Sequence, residues 1–277
     1  MKTSDGKFRV SDKLNLYYRC WLPDGEPKAI LLVVHGLNDH SGRYTNLVNY
    51  FVPRGFAVYG FDLRGHGKSE GFKCYIDRFS SFTNDLDVFT ALVRAKHPRQ
   101  RIYLVGHSMG GTVAAAYALT RQADIDGLIL SGVLLGKPPD VVAGTVLAAR
   151  VLSLVMPRCG LYVIDAGGIS RDKQVVKAYV EDPLVYRGKI RARLGVELLK
   201  TMATLMERIP DIRLPILVMH GSADRLSVVK NSVTLYERAG SADKTLKVYE
   251  GFFHEIFNEP GHELVLADIE AWLTARI

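Results

Sequence analysis

Residues 102–121 read IYLVGHSMGGTVAAAYALTR, and this stretch decides the fold. It begins with a short apolar run of the kind that forms a buried strand, and it ends with a helical pattern over residues 112–121. Between the two lies the motif Gly106-His107-Ser108-Met109-Gly110-Gly111, which has the G-x-S-x-G form. In that form a tight strand-to-helix turn exposes the serine hydroxyl, and the glycines give the turn steric room. An ordinary glycine turn is the alternative, and the flanking strand and helix favour a nucleophilic Ser108.

Short apolar runs alternate with longer helical patterns on both sides of this motif. Strands are predicted at residues 30–34, 56–61, 102–105, 128–130, 216–219 and 246–249, and crossover helices at residues 44–54, 79–96, 112–121, 228–238 and 262–276. Continuous apolar strands separated by helices are typical of a parallel sheet that is covered on both faces. Residues 7–10 and 14–21 are predicted to form an antiparallel hairpin at the edge. The chain is therefore expected to have an α/β fold.

The alternation breaks between Ser131 and Ile212, where about eighty residues contain no convincing core strand. Such a length is too great for a loop. The sequence predicts a helical cap or lid over residues 132–210, inserted into a core formed by residues 1–131 and 211–277. Within it, residues 141–156 are the most apolar segment, but they are too short to span a bilayer. Their apolar residues do not sort onto one narrow face, and one interpretation is a core helix between the cap and the sheet.

Composition excludes several other classes of protein. The 277 residues are 48% hydrophobic, which excludes disorder, and the net charge of +7 comes without basic residues interleaved with stacking aromatics, so no nucleic-acid site is predicted. The three cysteines are too far apart in sequence for a C-x-x-C metal or redox motif. The first ten residues lack the apolar stretch of a signal peptide, so a cytoplasmic location is expected.

A serine nucleophile needs a histidine base and a carboxylate that orients the base. In the chain order Ser, Asp, His, the strand at residues 216–219 leads to Asp224, and the strand at residues 246–249 leads to His254. Asp62 also ends a strand, but it precedes the serine, and an ion pair with Arg64 is the expected role. Attack by the serine also requires two N–H donors that stabilise the negatively charged oxygen of the intermediate, the oxyanion. These are predicted at Met109 and at Leu37, which lies in the turn after residues 30–34.

Several sequence blocks resemble, in order and at similar spacing, those of the α/β-hydrolase superfamily and, more narrowly, its monoacylglycerol lipase group. They are His35-Gly36 and residues 39–44, 62–71, 106–111, 221–226 and 244–251, followed by His254. The resemblance spans nearly the whole chain. It implies an α/β-hydrolase fold, with a mostly parallel eight-stranded sheet flanked by helices and a helical cap insertion.

The resemblance also implies a function. A protein of this group is a serine esterase, so this chain is expected to cleave monoacylglycerols or other single-chain lipid esters to a fatty acid and glycerol through an acyl-enzyme on Ser108. Asp224 and His254 complete the implied catalytic triad, the amides of Leu37 and Met109 form the oxyanion hole, and no metal or cofactor is needed. The alternatives are a lysophospholipase or a broad-specificity carboxylesterase on short-chain esters, and a non-catalytic α/β-hydrolase binding module.

The remaining implications concern the substrate and the membrane. Asp39, Arg43 and Tyr179 match positions that the family places at the glycerol head. The cap implies transient contact with a membrane surface, so that a cytoplasmic enzyme would act at the periphery of the membrane, and residues 141–156 would supply this contact. The sequence sets neither the acyl-chain length nor the oligomeric state.

Overall fold

An eight-stranded sheet runs through the part of the chain that the structure, a computed structural model, describes: residues 1–137 and 141–277. Its strands are β1 (Lys2–Arg9), β2 (Asn15–Leu22), β3 (Ile30–Val34), β4 (Ala57–Phe61), β5 (Ile102–His107), β6 (Gly127–Ser131), β9 (Ile216–Gly221) and β10 (Lys244–Tyr249). Strands β7 (Gly160–Tyr162) and β8 (Ile190–Arg191) form a separate two-stranded sheet. The order in the large sheet is β1-β2-β4-β3-β5-β6-β9-β10. Strand β2 is antiparallel to β1 and β4, and the other neighbours are parallel.

Helices cover both faces of this sheet. In the described residues the helices are α1 (Thr45–Phe51), α2 (Ser80–Lys96), α3 (Met109–Arg121), α4 (Ala143–Val155), α5 (Lys173–Glu181), α6 (Ala192–Arg208), α7 (Val229–Arg238) and α8 (His262–Thr274), of which α4 and α5 lie away from the sheet. Side chains alternate across a strand, so Leu31 and Val33 of β3 pack with α1 and α8, whereas Leu32 and Val34 pack with α2 and α3. The predicted α/β fold with a mostly parallel eight-stranded sheet is confirmed.

The ends of several elements differ from the predictions. The helix predicted over residues 44–54 ends as α1 at Phe51, and residues 52–54 form a 3₁₀ turn. Pro53 has no N–H to donate to the preceding helical turn, and Gly55 then takes the left-handed conformation that closes the helix. Helix α3 begins three residues earlier than predicted, because the Ser108 carbonyl already accepts the N–H groups of Gly111 and Thr112.

Between β6 and β9 the chain leaves the sheet and forms α4, α5, α6 and the small sheet of β7 and β8. We call residues 132–215 the inserted segment; residues 138–140 of the predicted cap lie outside the described residues. The domain division at residues 132–210 stays a prediction. In the described part of the chain, no helix combines the length and apolarity that crossing a membrane requires.

Helix α4 resolves one of the alternatives for residues 141–156. Only Ala149 and Ser153 of this helix are buried, whereas Leu147 is 64% exposed and Leu154 is 78% exposed. The interpretation as a core helix is therefore wrong: one side of α4 packs on α6, and its apolar outer side faces solvent.

Candidate active site

Ser108 lies at the sharp turn between β5 and α3. Its backbone has a φ of 55°, a left-handed conformation that costs a non-glycine residue about 1–3 kcal/mol. The turn is held by the Ser108 amide, which donates to the Ser131 carbonyl at 2.9 Å. It also requires glycine beside it, because a Cβ on Gly110 would lie 2.1 Å from the Val34 carbonyl oxygen. Sequence and geometry thus agree that Ser108 lies at the tip of a tight strand-to-helix turn.

The loops after β9 and β10 bring Asp224 and His254 together. His254 Nδ1 donates to Asp224 Oδ2 at 2.6 Å. The other oxygen, Asp224 Oδ1, accepts the amides of Leu226 at 2.8 Å and Ser227 at 3.0 Å. His220 Nε2 lies 3.0 Å from Oδ2 as well. The Asp224 side chain is completely buried, so these four donors replace the water it has lost.

These contacts set the charge states of both groups. Burial lowers the pKa of His254, but the nearby Asp224 charge and its hydrogen bond outweigh this, and the pKa is raised above the ordinary 6.5. Burial raises the pKa of Asp224, but the charges and hydrogen bonds of His254 and His220 hold it well below its usual range. Asp224 therefore stays ionised and keeps the proton on His254 Nδ1, which leaves the lone pair on Nε2 free to accept another.

The sequence did not place His220, the last-but-one residue of β9, beside Asp224. Its Nε2 also lies 3.2 Å from the Ser227 carbonyl, and its Nδ1 accepts the Ser232 hydroxyl at 2.7 Å. Both neighbours of Nε2 are acceptors, so this nitrogen carries the ring proton. His220 is thus a buried donor that fixes the position of Asp224.

The predicted oxyanion donors lie on two sides of Ser108. Met109 is the first residue of α3, and Leu37 follows Gly36, whose ideal Cβ position is 3.2 Å from Ser108 Cβ. Close approach of the loop after β3 to the serine therefore depends on glycine at position 36. Within residues 1–137 and 141–277, neither the Leu37 amide nor the Met109 amide has a hydrogen-bond acceptor. Their role as the oxyanion donors stays a prediction.

A cavity of about 1140 Å³, part of it open solvent, joins these groups. Ser108, His254, Asp39, Glu255 and Tyr179 give it a polar end. The rest is mostly aliphatic and comes largely from the inserted segment: Leu134, Val141, Val146, Ala149, Leu161, Ile164, Ile169, Ile190, Leu198, Leu199 and Met202. An extended hydrocarbon chain fits such a wall, and its polar end group would meet the serine.

The three predicted substrate-binding residues form one cluster. Asp39 and Tyr179 line the cavity, but Arg43 is not among the lining residues. Its guanidinium donates to Asp39 at 3.2 Å and to both oxygens of Glu255 at 2.7 Å, and its Cζ lies 4.6 Å from the centre of the Tyr179 ring. Glu255 was missed in the sequence, although its place directly after His254 puts it in the same loop.

A serine at the turn after β5, an acid after β9 and a histidine after β10, on a sheet of this strand order, define the α/β-hydrolase class. All three side chains lie at the carboxyl ends of parallel strands, where open α/β sheets bind their ligands.

Comparison with known proteins gives the family. The chain matches the Hydrolase_4 family, described as serine aminopeptidase, S33, over residues 25–261, and it belongs to that family. A monoacylglycerol lipase from Mycolicibacterium smegmatis is 34% identical over 99% of this chain and 98% of its own. The monoglyceride lipase of Homo sapiens is 36% identical over 96% of this chain and 89% of its own. The crystal structure of the Paleococcus ferrophilus monoacylglycerol lipase has a TM-score of 0.84 and 31% identity, with both chains fully covered. The resemblance inferred from the motifs is confirmed.

Proposed function

We propose that this protein is a carboxylic ester hydrolase that cleaves monoacylglycerols into a fatty acid and glycerol. The observation that carries the proposal is the position of Ser108 and the His254–Asp224 pair at the polar end of a long apolar cavity. Relatives named monoacylglycerol or monoglyceride lipase, which match nearly the whole chain at 34% and 36% identity, support the same substrate class.

The proposed reaction begins with attack of Ser108 Oγ on the ester carbonyl carbon while His254 Nε2 takes the hydroxyl proton. The amides of Leu37 and Met109 donate to the oxyanion that forms, an interaction worth about 3 kcal/mol for each donor. The intermediate collapses with cleavage of the bond to glycerol, and His254 gives its proton to the leaving oxygen. Water, deprotonated by the same imidazole, then attacks the acyl-enzyme and releases the fatty acid and Ser108.

The glycerol head is assigned to the polar cluster beside the serine. Asp39 and Tyr179 line this part of the cavity and can accept or donate hydrogen bonds to the two free hydroxyls. Arg43 supports them from outside the cavity: three of its N–H bonds donate to Asp39 and Glu255, and its guanidinium lies over the Tyr179 ring. This replaces direct substrate contact as the proposed role of Arg43.

The inserted segment is proposed to act as the cap through which lipid enters. It supplies most of the aliphatic cavity wall, and the exposed outer side of α4 includes Leu147, Val151, Leu154 and Val155. Apolar side chains that face water in this way gain free energy when they enter the acyl boundary of a bilayer. We infer transient membrane contact through α4 by a cytoplasmic, peripheral enzyme.

The deciding experiment replaces the proposed nucleophile. Ser108→Ala should lower kcat for 1-monoacylglycerol by at least roughly 10⁴-fold, because the covalent step is lost. Ser80→Ala, an exposed serine at the start of α2, should leave kcat unchanged. Equal activity in wild type and Ser108→Ala would reject the mechanism, and a wild-type protein that binds the monoacylglycerol without turnover would favour a binding module.

Substrate class is tested by comparing rates on mono-, di- and triacylglycerols and on lysophosphatidylcholine. The proposal requires the highest kcat/KM for monoacylglycerol. A clear preference for triacylglycerol would overturn the substrate assignment but keep the esterase chemistry, and a preference for lysophosphatidylcholine would favour a lysophospholipase.

A further inference from the structure

Two carboxylates face the leaving-group end of the cavity. Asp39 follows β3, and Glu255 follows β10, yet both line the cavity beside Ser108 and both are almost fully buried. Both carboxylates have further donors: the Asp39 carboxylate accepts the amide of His40 at 2.7 Å, and the Glu255 carboxylate accepts the side-chain amide of Asn258 at 2.9 Å.

A single guanidinium is shared by both carboxylates. Arg43 Nη1 donates to Asp39 and Glu255, and Nη2 donates to the second oxygen of Glu255. Burial lowers the pKa of Arg43, but the two carboxylates outweigh this and raise it well above its ordinary value, so the positive charge is kept. Two negative charges therefore face one positive charge, and one negative charge is left over at the polar end.

The neighbouring groups do not cancel this excess. Burial lowers the pKa of His107, which also lines the cavity, to about 3, so its ring is neutral. The cations that line the cavity, Lys137 and Arg191, both belong to the inserted segment. Lys137 is exposed and donates to the Val141 carbonyl, and Arg191 is partly exposed and donates to the Tyr186 hydroxyl. Solvent screens both of them more strongly than the buried carboxylates.

We infer that Glu255, together with Asp39, is a specificity-determining residue that makes the leaving-group end accept an uncharged polyol and reject a phosphorylated head. The inference rests on the proposed function and narrows its substrate class. Carboxylate oxygens accept hydrogen bonds from alcohol hydroxyls, which suits glycerol. A phosphate brings only acceptors and a negative charge, and repulsion from the buried carboxylates should give a discrimination of roughly 100-fold in favour of the uncharged head. Arg43 does not line the cavity, and three of its five N–H bonds already donate to Asp39 and Glu255.

The test uses three esters with the same short acyl chain at monomeric concentrations: 1-octanoylglycerol, 1-octanoylglycerol 3-phosphate and octanoylcholine. Wild type should prefer the glycerol ester over its phosphate by roughly 100-fold in kcat/KM. Glu255→Gln keeps the shape and removes one charge, so this ratio should fall to about tenfold or less. The same variant should lower kcat/KM for octanoylcholine, because the cationic head of this ester loses an attractive partner. That sign reversal separates charge from simple steric fit.

Glu237→Gln on α7 is the matched control, because it removes the same charge from an exposed position outside the cavity. Its ratios should equal those of wild type. If Glu255→Gln does not fold, Asp39→Asn removes the other lining carboxylate and should lower the phosphate discrimination in the same way. A wild type that hydrolyses both glycerol esters equally, or a Glu255→Gln variant with the wild-type ratio, overturns the inference and leaves the proposed function standing. Failure of wild type on 1-octanoylglycerol with turnover of octanoylcholine would instead reject the proposed function.

Discussion

The ion pair between His254 and Asp224 predicts the pH dependence of the reaction. Only neutral His254 can take the proton of Ser108, and the Asp224 charge raises the pKa of His254 above 6.5. Protonation therefore removes activity as pH falls, and the acid limb of kcat/KM should have its midpoint above pH 6.5. The measurement is a pH profile on a short soluble ester.

Asp224→Asn provides the control for the cause of this shift. It removes the negative charge that raises the pKa of His254 but leaves the burial that lowers it, so the midpoint of the residual activity should move to lower pH. A wild-type midpoint at or below 6.5, or an unchanged midpoint in Asp224→Asn, would contradict the assignment of Asp224 as the charge partner of His254.

At the residue scale, the sequence could predict functional residues that directly follow strands. It could not predict which side chains, distant in sequence, form hydrogen bonds and ion pairs with each other. Ser108, Asp224 and His254 were identified because each follows a strand, in the chain order of the hydrolase class; their catalytic roles stay predictions that the variants above test. Glu255 was missed because its meaning depends on Arg43, which lies 212 positions earlier. Proximity of that kind is created by the sheet order and leaves no local pattern.

At the element scale, α4 tests the membrane proposal. Leu147 lies on its exposed side, so Leu147→Asp should weaken binding to liposomes roughly tenfold by placing a charge in the acyl boundary. Activity on a short soluble ester should stay within about twofold, since the side chain does not line the cavity.

Val88→Asp on α2 is the matched control, because it adds the same charge at an exposed apolar position outside the inserted segment. It should leave liposome binding unchanged. Equal losses of liposome binding in both variants, or a loss of soluble-ester activity in Leu147→Asp, would argue against α4 as the lipid-facing element.

The elements differ in how well the sequence predicted them. The core strands were found within two residues at their ends, because each is a continuous apolar run between helical patterns. Strands β7 and β8 were not predicted, since three and two residues are too few to show a period. The orientation of α4 stayed open because an apolar helix has the same pattern whether protein or lipid covers it.

At the scale of the whole molecule, one sequence-based expectation was wrong. Arg64 was expected to pair with Asp62, two residues before it. Instead, Asp62 accepts the amide and hydroxyl of Ser41 and the amide of Lys68, while Arg64 reaches Asp85 on α2 and Asp12 in the β1–β2 turn. Nearness in sequence favoured the pair, but the fold brings carboxylates from two distant elements closer to Arg64, the buried Asp85 and the half-exposed Asp12.

Arg64 consequently connects the edge hairpin, the turn after β4 and α2, and its loss should weaken the whole structure. Its bonds to Asp85 measure 2.6 Å and are nearly dry, as the Asp85 side chain is 1% exposed. Arg64→Met leaves that carboxylate buried and unpaired, which should lower the free energy of unfolding by about 3–5 kcal/mol and Tm by roughly 10 °C.

Asp12, at 48% exposure, is the control: Asp12→Asn should lower the free energy of unfolding by less than about 1 kcal/mol. Thermal unfolding at one scan rate checks both variants. Similar Tm values for them would show that the pair with Asp85 does not stabilise the fold, whereas partial recovery in Arg64→Met/Asp85→Leu would identify the unpaired charge as the cause.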